Sequence, residues 1–258
     1  MKPTYLSMLQ ELRLNNRKGL AVLIDPDKAS TAHLQRLVPL AETAGACCFL
    51  VGGSLLSTQL LEDTLQIIRE HSSLPMILFP GSVQQVSSKA HGILLLSLIS
   101  GRNAEFLIGA HVTAAPAIKA ARIEVLPTGY MLIDGGAPTT VSYISDTRPI
   151  PANKPDIAAC TAMAGEMLGL QLLYLDTGSG APHPVPVSTL AAVKKATNLP
   201  IMVGGGIRSA EAATAAWHAG ADLVVIGNAL EENPRLLHTL QDALLASNST
   251  VSTQVDIP

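Results

Sequence analysis

Residues 200–228 read PIMVGGGIRSAEAATAAWHAGADLVVIGN, and they form one complete unit of a parallel α/β fold. The aliphatic run Pro200 to Gly206 ends in three glycines. Ser209 then stands at a helix N-cap position with Glu211 in the first turn, and the helical stretch Ser209 to Ala219 stops before Gly220. A second aliphatic run, Asp222 to Asn228, ends in Gly227-Asn228. Runs of this kind, apolar without alternation, suit strands covered on both faces.

The same pattern recurs back along the chain. Gly19 to Asp25, Cys47 to Gly53, Pro75 to Gly81, Gly92 to Leu98, Glu124 to Asp134 and Leu172 to Gly178 are further strand candidates, making eight in all. Between them lie amphipathic stretches. Ser30 to Ala44 places Leu34, Leu37, Val38 and Ala41 on one face, and Ser57 to His71 does the same with Leu60, Leu61, Leu65 and Ile68. Strands alternating with helices predict a parallel sheet, and eight such units predict closure into a (β/α)₈ TIM barrel. The length, 258 residues, matches the ~250 of a single such domain. The domain is therefore read as residues 1–258, with the barrel core at about 18–245.

Two units depart from regularity. Ser82 to His91 is too short for a helix and two loops, which predicts a short or degraded third helix. Gly135 to Ile157 is rich in Thr, Ser and Pro, which predicts an insertion after strand five, before a helix around Pro155 to Leu168. The polar tail after Leu245 is expected to fray.

Composition narrows the function classes. Hydrophobic residues make up 48% and aromatics 3%, so the core is aliphatic. A net charge of −3 with no basic cluster excludes a nucleic-acid footprint. Cys47, Cys48 and Cys160 offer neither a disulfide framework nor metal-ligand spacing, and they read as small core residues in a reducing compartment. The N-terminus has no apolar stretch of signal-peptide length, and no run of 18 apolar residues occurs. A cytoplasmic protein is expected, although its substrate can still be lipid-like.

In such barrels the site is built where strands end. Gly204, Gly205 and Gly206 end strand seven, and Gly227 and Asn228 end strand eight. Glycines there let backbone approach a ligand, and this strand pair is the recurrent phosphate site of the fold. Strand six ends in Tyr174-Leu175-Asp176-Thr177-Gly178-Ser179-Gly180-Ala181, a carboxylate followed by small hydrogen-bond donors. Strand one ends in Asp25-Pro26-Asp27-Lys28, where a carboxylate can hold Mg²⁺ together with substrate phosphates. Strand two ends in Gly52-Gly53-Ser54, with Ser54 a second hard oxygen donor. Tyr130 and Tyr174 fall on adjacent strands and can face one pocket, and Ile93 to Ile108 supplies apolar side chains for a channel.

Six segments occur in this order: Ile24 to Lys28, Val51 to Ser54, Leu78-Phe79-Pro80-Gly81, Pro127-Thr128-Gly129-Tyr130, Tyr174 to Ala181, and Val203 to Ile207. Together they resemble the geranylgeranylglyceryl phosphate synthase family and its bacterial heptaprenylglyceryl phosphate relatives, over roughly residues 18 to 235. Ser100-Gly101-Arg102-Asn103 is similar to a segment of the family's larger subgroup. The resemblance implies a Mg²⁺-dependent prenyltransferase. It joins a polyprenyl diphosphate, geranylgeranyl diphosphate above all, to the 3-hydroxyl of sn-glycerol 1-phosphate. By position, Asp25 and Ser54 match the Mg²⁺ ligands, and Lys28 falls with them on the substrate side. Tyr174, Leu175, Asp176, Thr177, Gly178, Ser179 and Gly180 match the glycerol phosphate loop. Gly204, Gly205, Gly206, Gly227 and Asn228 match the phosphate cradle. Asp176, with Tyr174 and Tyr130 beside it, takes the catalytic place. It stands where many members have Glu, which keeps the carboxylate and shortens its reach by a methylene. Phe106 falls where an aromatic floors the prenyl channel. The family also implies a homo-oligomer, dimer or hexamer, and transient contact with a membrane surface for product release.

The residues alone leave other classes open. One is a different phosphate-binding barrel enzyme, such as a sugar phosphate isomerase, a lyase or a flavoenzyme. Another is a non-catalytic barrel that binds a phosphorylated ligand.

Overall fold

The computed structural model describes residues 4–53 and 60–252. Its eight strands are β1 (Gly19–Ile24), β2 (Cys48–Val51), β3 (Met76–Leu78), β4 (Gly92–Leu98), β5 (Glu124–Leu132), β6 (Leu172–Asp176), β7 (Ile201–Gly204) and β8 (Leu223–Ile226). All pair in parallel, in sequence order, and β1 closes on β8. Apart from β4, the expected runs extend beyond these strands at their C-terminal ends. The ladder stops where the chain turns out to build the site, with positive φ at Gly178, Gly205 and Gly206.

Side chains alternate between two apolar layers. Ala21, Leu50, Ile77, Leu94, Leu126, Tyr130, Tyr174 and Val225 fill the barrel interior. Val22, Val51, Leu175, Val203, Val224 and Ile226 point outward against the helices. Those helices are α1 (Tyr5–Leu14), α2 (Thr31–Thr43), α3 (Leu61–His71), α4 (Ala110–Ala121), α5 (Thr140–Ile144), α6 (Pro155–Met167), α7 (Val187–Ala196), α8 (Ala210–Ala219), α9 (Asn228–Glu232) and α10 (Leu236–Ser252). Ser30 and Ser209 cap α2 and α8 as their types predict, accepting from His33 N and Ala212 N.

Both irregular units appear. Residues 79–91 connect β3 to β4 as loop and turns, so the helix due after β3 is degraded to a loop, as expected. The insertion after β5 contains α5 and returns through a bridge between Ile133 and Ile150. A π-helical turn, Glu105–Gly109, leads into α4.

The bottom of the barrel is closed by α1. Leu9 packs among the interior side chains, and the Glu124 carboxylate accepts from Tyr5 N and Leu6 N at 2.8 and 3.0 Å. Asp222, fully buried, meets Lys194 at 3.1 Å and Arg13 at 3.6 Å. Trp217 is packing: it is fully buried and its indole N–H donates to Gly19 O at 2.9 Å.

Two expectations are corrected. Within the described residues the tail does not fray after Leu245; residues 253–258 lie outside them. Helix α10 runs to Ser252, because Leu240 and Leu244 pack in the outer core and Asn248 exchanges two hydrogen bonds with the Lys18 backbone. Cys160 is not core; it lies exposed on α6, while Cys48 is buried in the barrel and Cys47 is half-buried, all three as free thiols. Among the described residues, no helix is long and apolar enough to cross a membrane.

Candidate active site

Two cavities open at the C-terminal ends of the strands, and they differ in chemistry. The first is apolar. It spans about 900 Å³ including its mouth, lies over β3 to β5, and is lined by Ile93, Leu94, Leu95, Leu96, Leu98, Phe106, Ala114, Ile118 and Tyr130. The loop that replaces the third helix contributes Gly81, Ser82, Val83 and Val86. Ile99 and Leu107, also in the apolar segment expected to line a channel, turn instead to a groove beside α6. The second cavity is polar and spans about 1120 Å³ including its mouth. Asp25 and Lys28 line it from the end of β1, Tyr174 and Asp176 from β6, Gly205 and Gly206 after β7, and Gly227 and Asn228 after β8. Gly53 and Phe79 line both cavities, so the two meet there.

Asp176 is the central polar group. Its residue is only 7% exposed. Oδ2 accepts the Tyr130 hydroxyl at 2.6 Å and Oδ1 accepts Gly178 N–H at 2.7 Å. Burial raises its carboxyl above the usual range, and these hydrogen bonds, which favour the charged form, pull it back part of the way. Tyr130 and Tyr174 are pushed well up by burial first and by the Asp176 charge second, so both remain protonated donors. The two tyrosines are register partners across β5 and β6. Their rings and that of Phe79 form a cluster, with Phe79 stacked on Tyr174 at 4.9 Å and 6.1 Å from Tyr130.

The glycines are there for close approach. A Cβ on Gly204 would lie against the Tyr174 hydroxyl, and one on Gly205 would meet Asp176 Oδ1 and the Thr177 backbone. Gly205 and Gly206 also have φ of 78° and 66°, which disfavours any side chain. Across the cleft, the Asn228 amide donates to Ser179 Oγ at 3.0 Å. Lys28 Nζ sits 3.5 Å from both Ser179 Oγ and Asn228 Oδ1, and 3.3 Å from Asp25 Oδ2. A cation and glycine backbone thus converge on the space above Gly205 and Gly227, which is the equipment of an anion site.

Most of the sequence-predicted residues come together in this way. Ser54 lies outside the described residues. Leu175 does not reach the cleft: strand alternation turns it into the outer core, so its place in the glycerol phosphate loop is one of backbone only. Thr177 and Gly178 lie behind the cleft wall, with Thr177 Oγ1 buried beside Gly205. Gly204 also sits behind it, under Tyr174. His183 touches Gly135 and Gly206 through its backbone and is not part of the polar lining.

Sequence reasoning gave no role to three residues. Phe79 stands where the cavities join. Glu231, on α9, faces Asp25 and Lys28, and burial raises its carboxyl. Arg208 reaches the rim. Phe79 was within a recognised segment, and Glu231 follows Asn228 by less than a turn, so position after a strand end was the available signal.

Asp25 supplies one hard oxygen donor at the mouth. Among the described residues, no three His, Cys, Asp or Glu side chains cluster to hold a metal by themselves. A single carboxylate facing an anion site fits Mg²⁺, which is held by one or two carboxylates plus substrate phosphates and water.

Fold and site together define a phosphate-binding (β/α)₈ barrel with an adjoining apolar channel. The PcrB family model matches residues 13–245, and the chain belongs to that family. It is 52% identical over 246 residues to the geranylgeranylglyceryl phosphate synthase of Spirosoma linguale, covering 95% of this chain and 99% of that one. The enzyme of the same name from Thermococcus kodakarensis is 42% identical over 221 residues, covering 85% and 87%. Among solved structures, (S)-3-O-geranylgeranylglyceryl phosphate synthase from Thermoplasma acidophilum, in complex with its substrate sn-glycerol-1-phosphate, superposes with a TM-score of 0.87 at 33% identity. That match covers 93% of this chain and 98% of the other. A tryptophan synthase α-subunit from Pyrococcus furiosus, at 13% identity and a TM-score of 0.54, shares the fold alone.

Proposed function

We propose that the protein is a Mg²⁺-dependent prenyltransferase that joins geranylgeranyl diphosphate to the 3-hydroxyl of sn-glycerol 1-phosphate. The observation that supports this most is the pair of unlike cavities meeting at Gly53 and Phe79, with the Asp176 carboxylate in the polar one. A substrate with a phosphate head and a substrate with an apolar tail each have a compartment, and their reacting ends meet at the junction.

The glycerol phosphate enters the polar cleft. Its phosphate takes the amides around Gly205, Gly206, Gly227 and Asn228, with Ser179 and Lys28 alongside. Its 3-hydroxyl faces Asp176. The carboxylate, oriented by the Tyr130 hydroxyl and Gly178 N–H, accepts the hydroxyl proton. The glycerol oxygen then bonds to C1 of the prenyl group, and the C1–O bond to diphosphate breaks. The faces of Phe79, Tyr130 and Tyr174 stabilise positive charge developing on the allylic carbon. Asp25 would hold Mg²⁺ at the mouth, and the bound ion would supply positive charge for the departing diphosphate. The prenyl tail follows the apolar cavity past Phe106, which limits its length to about that of geranylgeranyl. Homologous enzymes of this name at 40–52% identity support the substrate pair. Release of the amphipathic product at a membrane surface and assembly as a homo-oligomer complete the reading.

The test is direct. Purified protein is incubated with Mg²⁺, geranylgeranyl diphosphate and radiolabelled sn-glycerol 1-phosphate. Label is expected in the organic phase and is lost on adding EDTA. Folded protein that transfers no label with any prenyl diphosphate, from geranyl to heptaprenyl, overturns the activity. Transfer that persists in EDTA overturns the metal.

A further inference from the structure

Gln85 lies in the loop that replaces the third helix, and it is almost fully buried. Buried amides are expected to satisfy both ends of the side chain. Gln85 does so between two parts of the site. Its Oε1 accepts Gly81 N–H at 3.2 Å, and its Nε2 donates to Gly53 O at 3.1 Å. Gly81, with Ser82, Val83 and Val86, forms the wall of the apolar cavity. Gly53 lines both cavities, and a Cβ on it would lie 3.3 Å from Asp25 Oδ2.

The neighbouring backbone leaves little room for an alternative arrangement. Gly52 packs so closely on Phe79 that a Cβ there would run into Phe79 O and lie 3.0 Å from Gln85 Oε1. The Gly52–Gly53 segment, the Phe79 backbone and the Gln85 amide therefore form one packed unit beneath the junction. A loop with no helix of its own depends on such tertiary hydrogen bonds to hold its shape. Neither glycine can be held by a side chain of its own.

We propose that Gln85 is a positioning residue for the prenyl diphosphate. Its amide ties the wall of the apolar cavity to the backbone beside Asp25, so that the tail and the diphosphate end are held in one register. The proposal rests on the activity given above. Gln85 touches no reacting atom, and it acts through Gly53 and Gly81. Neither of its hydrogen bonds goes to the glycerol phosphate cradle, which is built from β6 to β8.

The experiment compares wild type with Gln85→Met, which keeps length and loses both hydrogen bonds, and Gln85→Glu, which loses the donor to Gly53 O. The KM for geranylgeranyl diphosphate is expected to rise about tenfold in both, the effect of losing a buried hydrogen bond at a binding wall. The dissociation constant of sn-glycerol 1-phosphate, measured by calorimetry without prenyl substrate, is expected to stay within about twofold. Leu65→Ala, in the outer core away from both cavities, serves as a control that lowers the melting temperature and leaves the prenyl KM unchanged. A prenyl KM equal to wild type overturns the proposal, as does parallel weakening of glycerol phosphate binding. Hydrogen exchange on unmodified protein provides an arm that needs no variant. The Gly81 amide is expected to slow when geranylgeranyl diphosphate and Mg²⁺ are added, and an unchanged rate overturns the proposal. Wild type that makes no product fails the activity itself, whereas active wild type with unaltered variants fails only the role of Gln85.

Discussion

The mouth of the barrel has two halves made by opposite means. The polar half, over β6 to β8 and β1, is built by removing side chains. Glycines bring backbone amides to the surface, and a regular helix follows each of β7 and β8. The apolar half, over β3 to β5, is built by removing a helix. The loop after β3 and the π-helical turn before α4 leave the outer side of β4 open, so that side chains that elsewhere would pack on a helix face a cavity instead. Anion binding needs close backbone approach, and a long apolar ligand needs volume. One barrel supplies both by irregularity in different units.

The largest expected effect falls at the border of the halves. Asp176→Ala removes the proton acceptor, and product formation is expected to drop by about 10²–10⁴ in kcat. Assay of organic-soluble product measures it, and a drop confined to KM would move the carboxylate to a purely binding role. Next comes Gly205→Ala. Its added methyl meets Asp176 and the Thr177 backbone at φ 78°, so sn-glycerol 1-phosphate affinity is expected to fall at least about tenfold. Geranylgeranyl diphosphate affinity should be retained. If calorimetry shows both ligands weakened equally, the two halves are not separable.

A smaller effect is expected at Tyr130. Its hydroxyl donates to the Asp176 carboxylate and so favours the charged form. Tyr130→Phe therefore raises the Asp176 carboxyl further above the ordinary range. Activity needs the carboxylate, so it is lost as pH falls through that value, and the acidic limb of kcat against pH moves to higher pH in the variant. An unmoved limb would assign the titration to another group. The smallest effect on rate, and a change mainly of selectivity, is expected at Phe106. Phe106→Ala enlarges the apolar half alone, and prenyl diphosphates longer than geranylgeranyl should become better substrates. Identical chain-length profiles by mass spectrometry would remove Phe106 from the channel's end.

Legibility in the sequence followed the same division. The polar half was readable because its chemistry sits at strand ends and uses residue types with few other reasons to cluster, such as Gly204-Gly205-Gly206 and Gly227-Asn228. The absent third helix was readable from the length between β3 and β4. What that absence creates was not. Gln85 looks like any loop glutamine until the fold brings Gly53 and Gly81 to its two ends. Phe79 gains its place only from stacking on Tyr174, a residue from a distant strand. Leu175 went the other way, grouped by a contiguous motif and then separated by strand alternation. The stretch just after Leu245 was misread because its polar composition hides the burial of Ser247 and the pairing of Asn248 with Lys18.

That pairing has a consequence for how the chain is made. One edge of the first strand is held by groups that the ribosome delivers much later: Trp217 on Gly19 O, β8 along that edge, and Asn248 on Lys18, a separation of 230 residues. At a synthesis rate of about 5–20 residues per second, β1 waits on the order of ten seconds or more for its partners. During that interval its apolar edge, Gly19–Ile24, is an open seam for a chaperone or a neighbouring nascent chain.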